Sequence, residues 1–122
     1  MTSLHHALSF FPAHALAWFF GGLFATNAIP HFVSGVMGRP FQTPFASPPG
    51  EGLSSSTINV LWGFANLIFA WLLLAHVGDF DIRNLADALP FALGVLAIAL
   101  FSARHFGRFH GGTLNAEAKP HA

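Results

Sequence analysis

The chain has 122 residues, 53% hydrophobic and 8% charged, with five basic and five acidic side chains. A soluble domain carries about 25% charged residues, so a compact water-soluble fold would expose too much apolar surface. The balanced charge leaves no basic patch of the kind that binds nucleic acid. The absence of Cys excludes disulfides, thiolate ligands and thiol nucleophiles.

The apolar residues fall in three runs without Lys, Arg, Asp or Glu: Met1 to Gly38, Gly52 to Gly78 and Ala88 to Ala103. In lipid every spanning backbone amide must be paired internally, which permits only helices or a closed barrel. No run alternates with period 2, and a barrel needs about eight strands. The expected fold is an all-α integral membrane protein. It has three transmembrane helices and a Pro/Phe-rich interfacial loop between helices 1 and 2. Residues 1–110 form one transmembrane domain and 111–122 a flexible polar tail.

The first run lacks a basic n-region and an A-x-A site, so it reads as a retained helix rather than a cleaved signal peptide. Its span is expected over about 13–37, with Pro12 in the first turn, Gly38 as C-terminal cap and a kink at Pro30. The loop that follows, GRPFQTPFASPPGEGLSSS, repeats Pro40-Phe41, Pro44-Phe45 and Pro48-Pro49 at intervals of four. Pro at that density forbids a helix interior, while Phe41 and Phe45 call for an apolar surface. A semi-rigid loop is expected along the membrane interface or dipping over a polar pocket, with Phe41 and Phe45 as lid or docking residues.

The second span is expected over about 57–77, capped by the Ser54 to Thr57 hydroxyls and stopped by Gly78. The third is expected over about 85–106, with Asn84 and Asp87 as a capping pair and Gly107 as the stop. Its uncharged core of 16 residues spans only about 24 Å, so Arg104 must snorkel and Asp87 must sit at the margin. Arg39, Arg104, Arg108 and Lys119 then share one side, and only Arg83 lies on the other. The positive-inside rule puts the C-terminus in the cytoplasm, the N-terminus outside and the protein in the cytoplasmic (inner) membrane of a bacterium.

Small residues let membrane helices approach closely. The expected seams are His14, Ala17, Gly21, Ala25, Ala28 and Gly35 on helix 1, and Asn59, Gly63, Asn66 and Ala70 on helix 2. On helix 3 they are Ala88, Ala92, Ala99 and Ala103. The three Trp are expected to be mostly lipid-facing or interfacial.

Polar groups at membrane depth are functional candidates by default. Asn27 and Asn66 both fall near the midplane and could bond each other. Asn27, His31 and Ser34 share one face, and Asn59 and Trp62 arrive at similar depth from helix 2. The expectation is a polar pocket of Asn27, His31, Ser34, Asn59, Trp62 and Asn66, with Ser102 as a further candidate. Such neutral groups suit a quinone-like head group, or form plain interhelical hydrogen bonds with no ligand. The eight His could also supply axial imidazoles to a haem, but no His-x-x-x-His pair and no deep carboxylate supports a metal site or a proton relay.

The Gly21, Gly22, His31, Phe32 pattern is similar to small DoxX-like bacterial membrane proteins. The match covers one helix. Those proteins usually have four spans against three here, and no functional residue is carried across. No nucleophile–base pair is present. The expected function is therefore a small non-catalytic membrane protein, acting as a homo-oligomer or as an accessory subunit of a larger membrane complex. The alternative is a membrane protein that binds a quinone-like or haem cofactor through its intramembrane His and Asn residues. Membrane lipid, further copies of itself or other membrane subunits are the expected partners.

Overall fold

The computed structural model describes residues 14–114. It has three long helices, α1 (Ala15–Val36), α2 (Ser56–Ala75) and α3 (Leu85–His110). All three are long and apolar enough to cross a membrane. A two-stranded antiparallel ribbon, β1 (Phe41–Gln42) with β2 (Leu53–Ser54), stands between α1 and α2. The expected Pro12 cap and the tail from residue 115 lie outside the described residues.

Helix ends follow local chemistry. Gly38, at φ +76°, ends α1, and the Arg39 amide returns to the Ser34 carbonyl at 2.8 Å. Ser55 caps α2, its hydroxyl accepting the Ile58 amide at 3.2 Å. Asn84 caps α3 by accepting the Ala86 amide. Asp87 does not complete a reciprocal capping box; its carboxylate instead accepts the Asp81 amide at 3.0 Å, and the side chain is buried. Gly107 does not stop α3. The helix continues one turn to His110, where Gly111 adopts φ +80° and the Gly112 amide bonds the Gly107 carbonyl. A single helical Gly costs only about 1 kcal/mol, and the left-handed cap lies four residues further on. Pro30 within α1 cannot donate to the Thr26 carbonyl.

Helix α1 is the centre of the bundle. It packs against α2 on one side and α3 on the other, while α2 and α3 scarcely meet. The α2 seam is Asn59, Gly63, Asn66 and Ala70, as the spacing predicts. A Cβ on Gly63 would lie 2.7 Å from the Phe32 amide nitrogen, and one on Gly35 would lie 2.7 Å from the Ser56 carbonyl. The α3 seam differs from the expected alanine stripe. Its buried residues are Asp87, Pro90, Gly94 and Gly107, whereas Ala92 and Ala103 are exposed. A Cβ on Gly94 would run into the Phe19 carbonyl, so the closest approach of α1 and α3 admits only glycine. Among the described residues few apolar side chains are buried, Trp18, Ala28, Ala70 and Pro90. Large apolar residues such as Leu61, Leu96 and Phe101 face outward, as lipid-facing side chains would.

Trp18 corrects the expectation for the Trp residues. It is buried at one end of the bundle, where its indole N–H donates to the Val77 carbonyl at 2.8 Å and Phe80 packs edge-on. Gly78, at φ +66°, turns the chain tightly past His14 and Trp18.

Candidate functional site

The opposite end holds a cavity of about 330 Å³. Asn27 and His31 come from α1, Trp62 from α2, and Phe101, His105 and Phe106 from α3. The ribbon loop closes over it with Gln42, Thr43, Pro44, Pro49 and Gly50. The Pro residues do not leave this loop irregular. Amides from Gly50 and Gly52 return to the Thr43 and Pro48 carbonyls at 2.8 Å each, and the Thr43 hydroxyl bonds that of Ser54.

His31 is 2% exposed and Asn59 0%. The Asn59 amide nitrogen donates to three carbonyls, those of Phe41, Ser54 and Ser55, at 3.0–3.1 Å. This fixes the orientation of the side chain and leaves its Oδ1 facing His31 Nδ1 at 2.9 Å. A carbonyl oxygen only accepts, so Nδ1 carries the hydrogen. In the neutral imidazole the lone pair therefore sits on Nε2, which has no hydrogen-bond partner among the described residues. One residue ties α1, α2 and the ribbon together and sets the tautomer of the imidazole between them.

The ring of His31 lies in an aromatic box. Phe41 is 5.4 Å away, Phe106 6.0 Å and Trp62 6.4 Å, all edge to face. Asn27 donates to Asn66 Oδ1 at 3.0 Å, and Asn66 donates to the Trp62 carbonyl at 2.8 Å. The Asn27 carbonyl oxygen remains without a partner among the described residues. The Trp62 indole N–H is buried and unpaired, the single such side-chain N or O among the described residues. Every other unpartnered polar atom of the site, His31 Nε2 included, therefore keeps some accessible surface.

Two histidines of α3 hold the loop down. His105 Nε2 bonds the Gly50 carbonyl at 2.6 Å. His110 Nε2 bonds Gln42 Oε1 at 2.8 Å, with its ring stacked on Phe41 at 4.9 Å. Both carbonyl oxygens accept, so both imidazoles carry their hydrogen on Nε2 when neutral.

The predicted residues thus divide. Asn27, His31 and Trp62 line the cavity, while Asn59 and Asn66 lie behind it as supports. Ser34 is not in the lining and makes no side-chain hydrogen bond among the described residues; Ser102 is also outside the lining. Phe41 packs inward against His31, Phe106 and His110. Phe45 stays largely exposed, edge-on to Trp62 at 5.0 Å. Sequence reasoning missed Gln42 and Thr43, both buried, and the role of His110. Among the described residues no group of three or more His, Asp or Glu gathers as a metal site would require. No family model, curated protein or solved structure matches this chain.

Proposed function

We propose that this is a three-span membrane protein whose His31 cavity holds the polar head of a quinone-like molecule. The observation that carries the reading is His31 Nε2, an acceptor that keeps some accessible surface and has no partner among the described residues, in a cavity walled by Trp62, Phe101 and Phe106. A hydroxyl on a flat ring would supply the donor that His31 Nε2 lacks, and the reduced, quinol form of such a head has one. The cavity volume lies at the small end of ligand sites. Haem fits less well. It would want a second imidazole, and the Nε2 atoms of His105 and His110 are both engaged with the loop.

Fluorescence quenching on adding a short-chain benzoquinol, kept reduced, to the purified protein tests this, with Trp62→Phe identifying the responding indole. Saturable quenching is expected, weakened about tenfold in His31→Ala through loss of one hydrogen bond. Linear, non-saturating quenching in the native protein would refute the reading.

A second reading is an accessory or self-associating role, favoured by the near absence of contact between α2 and α3. Three spans that bury so little of their own surface leave helix faces for another membrane subunit. Native mass spectrometry of protein released gently from its own membranes separates the readings. Stoichiometric further chains support assembly; a lone chain with an added small mass supports the ligand.

The His31 end carries Arg39, Arg104 and Arg108, so the proposed placement is in the cytoplasmic (inner) membrane with that end and the C-terminus cytoplasmic. A reporter fused to the C-terminus, active only on one side of the membrane, decides the orientation.

A further inference from the structure

On the outer face of α3, adjoining the His31 cavity through Phe101 and His105, lies a second depression of about 440 Å³, formed by Leu100, Phe101, Arg104, His105 and Arg108. Its two halves differ in chemistry. Leu100 and Phe101 are exposed and apolar. Arg104 and Arg108 stand four residues apart on the same face, one turn nearer the helix end. Among the described residues, the one ion pair is Arg83 with Asp81 at the other end of the chain's fold, so neither guanidinium has a carboxylate partner.

Arg108 is held in place. Its Nη2 donates to His105 Nδ1 at 3.1 Å, its Nε lies 3.4 Å from the His105 carbonyl, and its guanidinium lies 5.2 Å from the centre of the Phe109 ring. The imidazole can accept at Nδ1 because Nε2–H is donated to Gly50. The remaining N–H groups of Arg108 and all those of Arg104 have no hydrogen-bond partner among the described residues and suit an anion. Guanidinium matches the paired oxygens of a phosphate better than ammonium does.

We infer that this face binds a net-anionic glycerophospholipid. Its phosphodiester sits between Arg104 and Arg108, and an acyl chain runs along Leu100 and Phe101. The inference rests on the chain crossing a membrane but not on any ligand in the His31 cavity. A cationic pair one turn above exposed apolar side chains reproduces the order of phosphate and acyl chain in a leaflet. A soluble anion would use the arginines and leave Leu100 and Phe101 without a role.

The test is native mass spectrometry of the detergent-solubilised protein titrated with phosphatidylglycerol or with phosphatidylcholine of identical acyl chains. Phosphatidylglycerol is expected to bind about tenfold more tightly, given two basic residues at the lipid surface. The preference should disappear in the double variant Arg104→Gln, Arg108→Gln and survive in Arg104→Lys, which keeps the charge and the fold. Equal binding of the two lipids, or a preference untouched by the double variant, overturns the inference. So does displacement of phosphatidylglycerol by millimolar inorganic phosphate, which would mark a free-anion site. Alkaline carbonate washing of native membranes is the control. Release of the protein by that wash removes the membrane reading itself, whereas retention without lipid preference removes only this site.

Discussion

The two ends of the bundle use their buried polar groups in opposite ways. At the Trp18 end the loop from α2 to α3 is short, and its inward-facing groups close on the backbone. Trp18 bonds Val77, Asp87 bonds the Asp81 amide, and Phe80 covers the indole. At the His31 end the connection is long and the groups do not close. Asn59 is fully committed, yet among the described residues His31 Nε2, Asn27 Oδ1 and the Trp62 indole N–H are left without partners. The same chemistry at both ends thus makes a plug in one place and a receptive cavity in the other. The difference lies in the loop, which at the His31 end stands over the helices instead of filling the space between them.

The sharpest way to break this contrast is Asn59→Leu. It removes four hydrogen bonds at a site with no exposure and leaves the His31 imidazole N–H unpaired, while the Ser55 carbonyl keeps its bond from the backbone amide of residue 59. Interhelical bonds in membranes average about 0.6 kcal/mol, and stranded partners add to that, so a loss of about 3 kcal/mol is expected. Denaturation in a graded detergent mixture, followed by circular dichroism, reads it. A loss below that of a single bond would mean that Asn59 does not organise this end.

Gly94→Ala comes next and acts between the ends. The added methyl meets the Phe19 carbonyl, so α1 and α3 must part, at a cost of about 2 kcal/mol as for overpacking elsewhere. The same denaturation assay applies, and Ala92→Leu on the exposed face of α3 should be near neutral in it. If Ala92→Leu proved the more damaging, the assignment of the α3 seam would be wrong.

Trp18→Phe keeps the ring and removes one bond, to Val77. A loss of about 1 kcal/mol is expected, with quinol quenching at Trp62 unchanged because the cavity is at the other end. Coupled loss of quenching would show that the two ends are not independent.

How much of this was legible beforehand depends on the interaction involved. The α2 seam was, because Asn59, Gly63, Asn66 and Ala70 recur at helical spacing and are small or amide-bearing. The α3 seam was not. Alanines recur there at the same spacing, but contact is set by the one place where the backbones come closest, and only glycine fits. Asn27, His31, Asn59, Trp62 and Asn66 were found because polar or indole groups stand out in an uncharged run. Gln42 and Thr43 were not, since both sit among loop residues where polar side chains carry no signal. The ribbon was hidden too. Its two strands are two residues each and are held by turn bonds and by Asn59 rather than by any alternating pattern. His110 was lost for a different reason. Ending α3 at Gly107 took its last turn away, and the Gly111–Gly112 pair was the clue to the longer helix.

That last turn supports the smallest and most discriminating change. His110→Phe should keep the stack on Phe41 and delete only the bond to Gln42. A single such bond is worth about 0.6 kcal/mol, which corresponds to roughly a threefold change in a rate or equilibrium. If the loop is a cover latched from α3, the change should fall on opening: ligand release about three times faster, faster hydrogen exchange at the Thr43 and Gly50 amides, and little effect on denaturation. His105→Phe removes the other latch, to Gly50, and the two effects should add, because the bonds hold separate points of the loop. Were the loop a rigid part of the bundle, both variants would instead lower stability and leave release unchanged. The contrast between a closed end and an opening one would then have to rest on Asn59 alone.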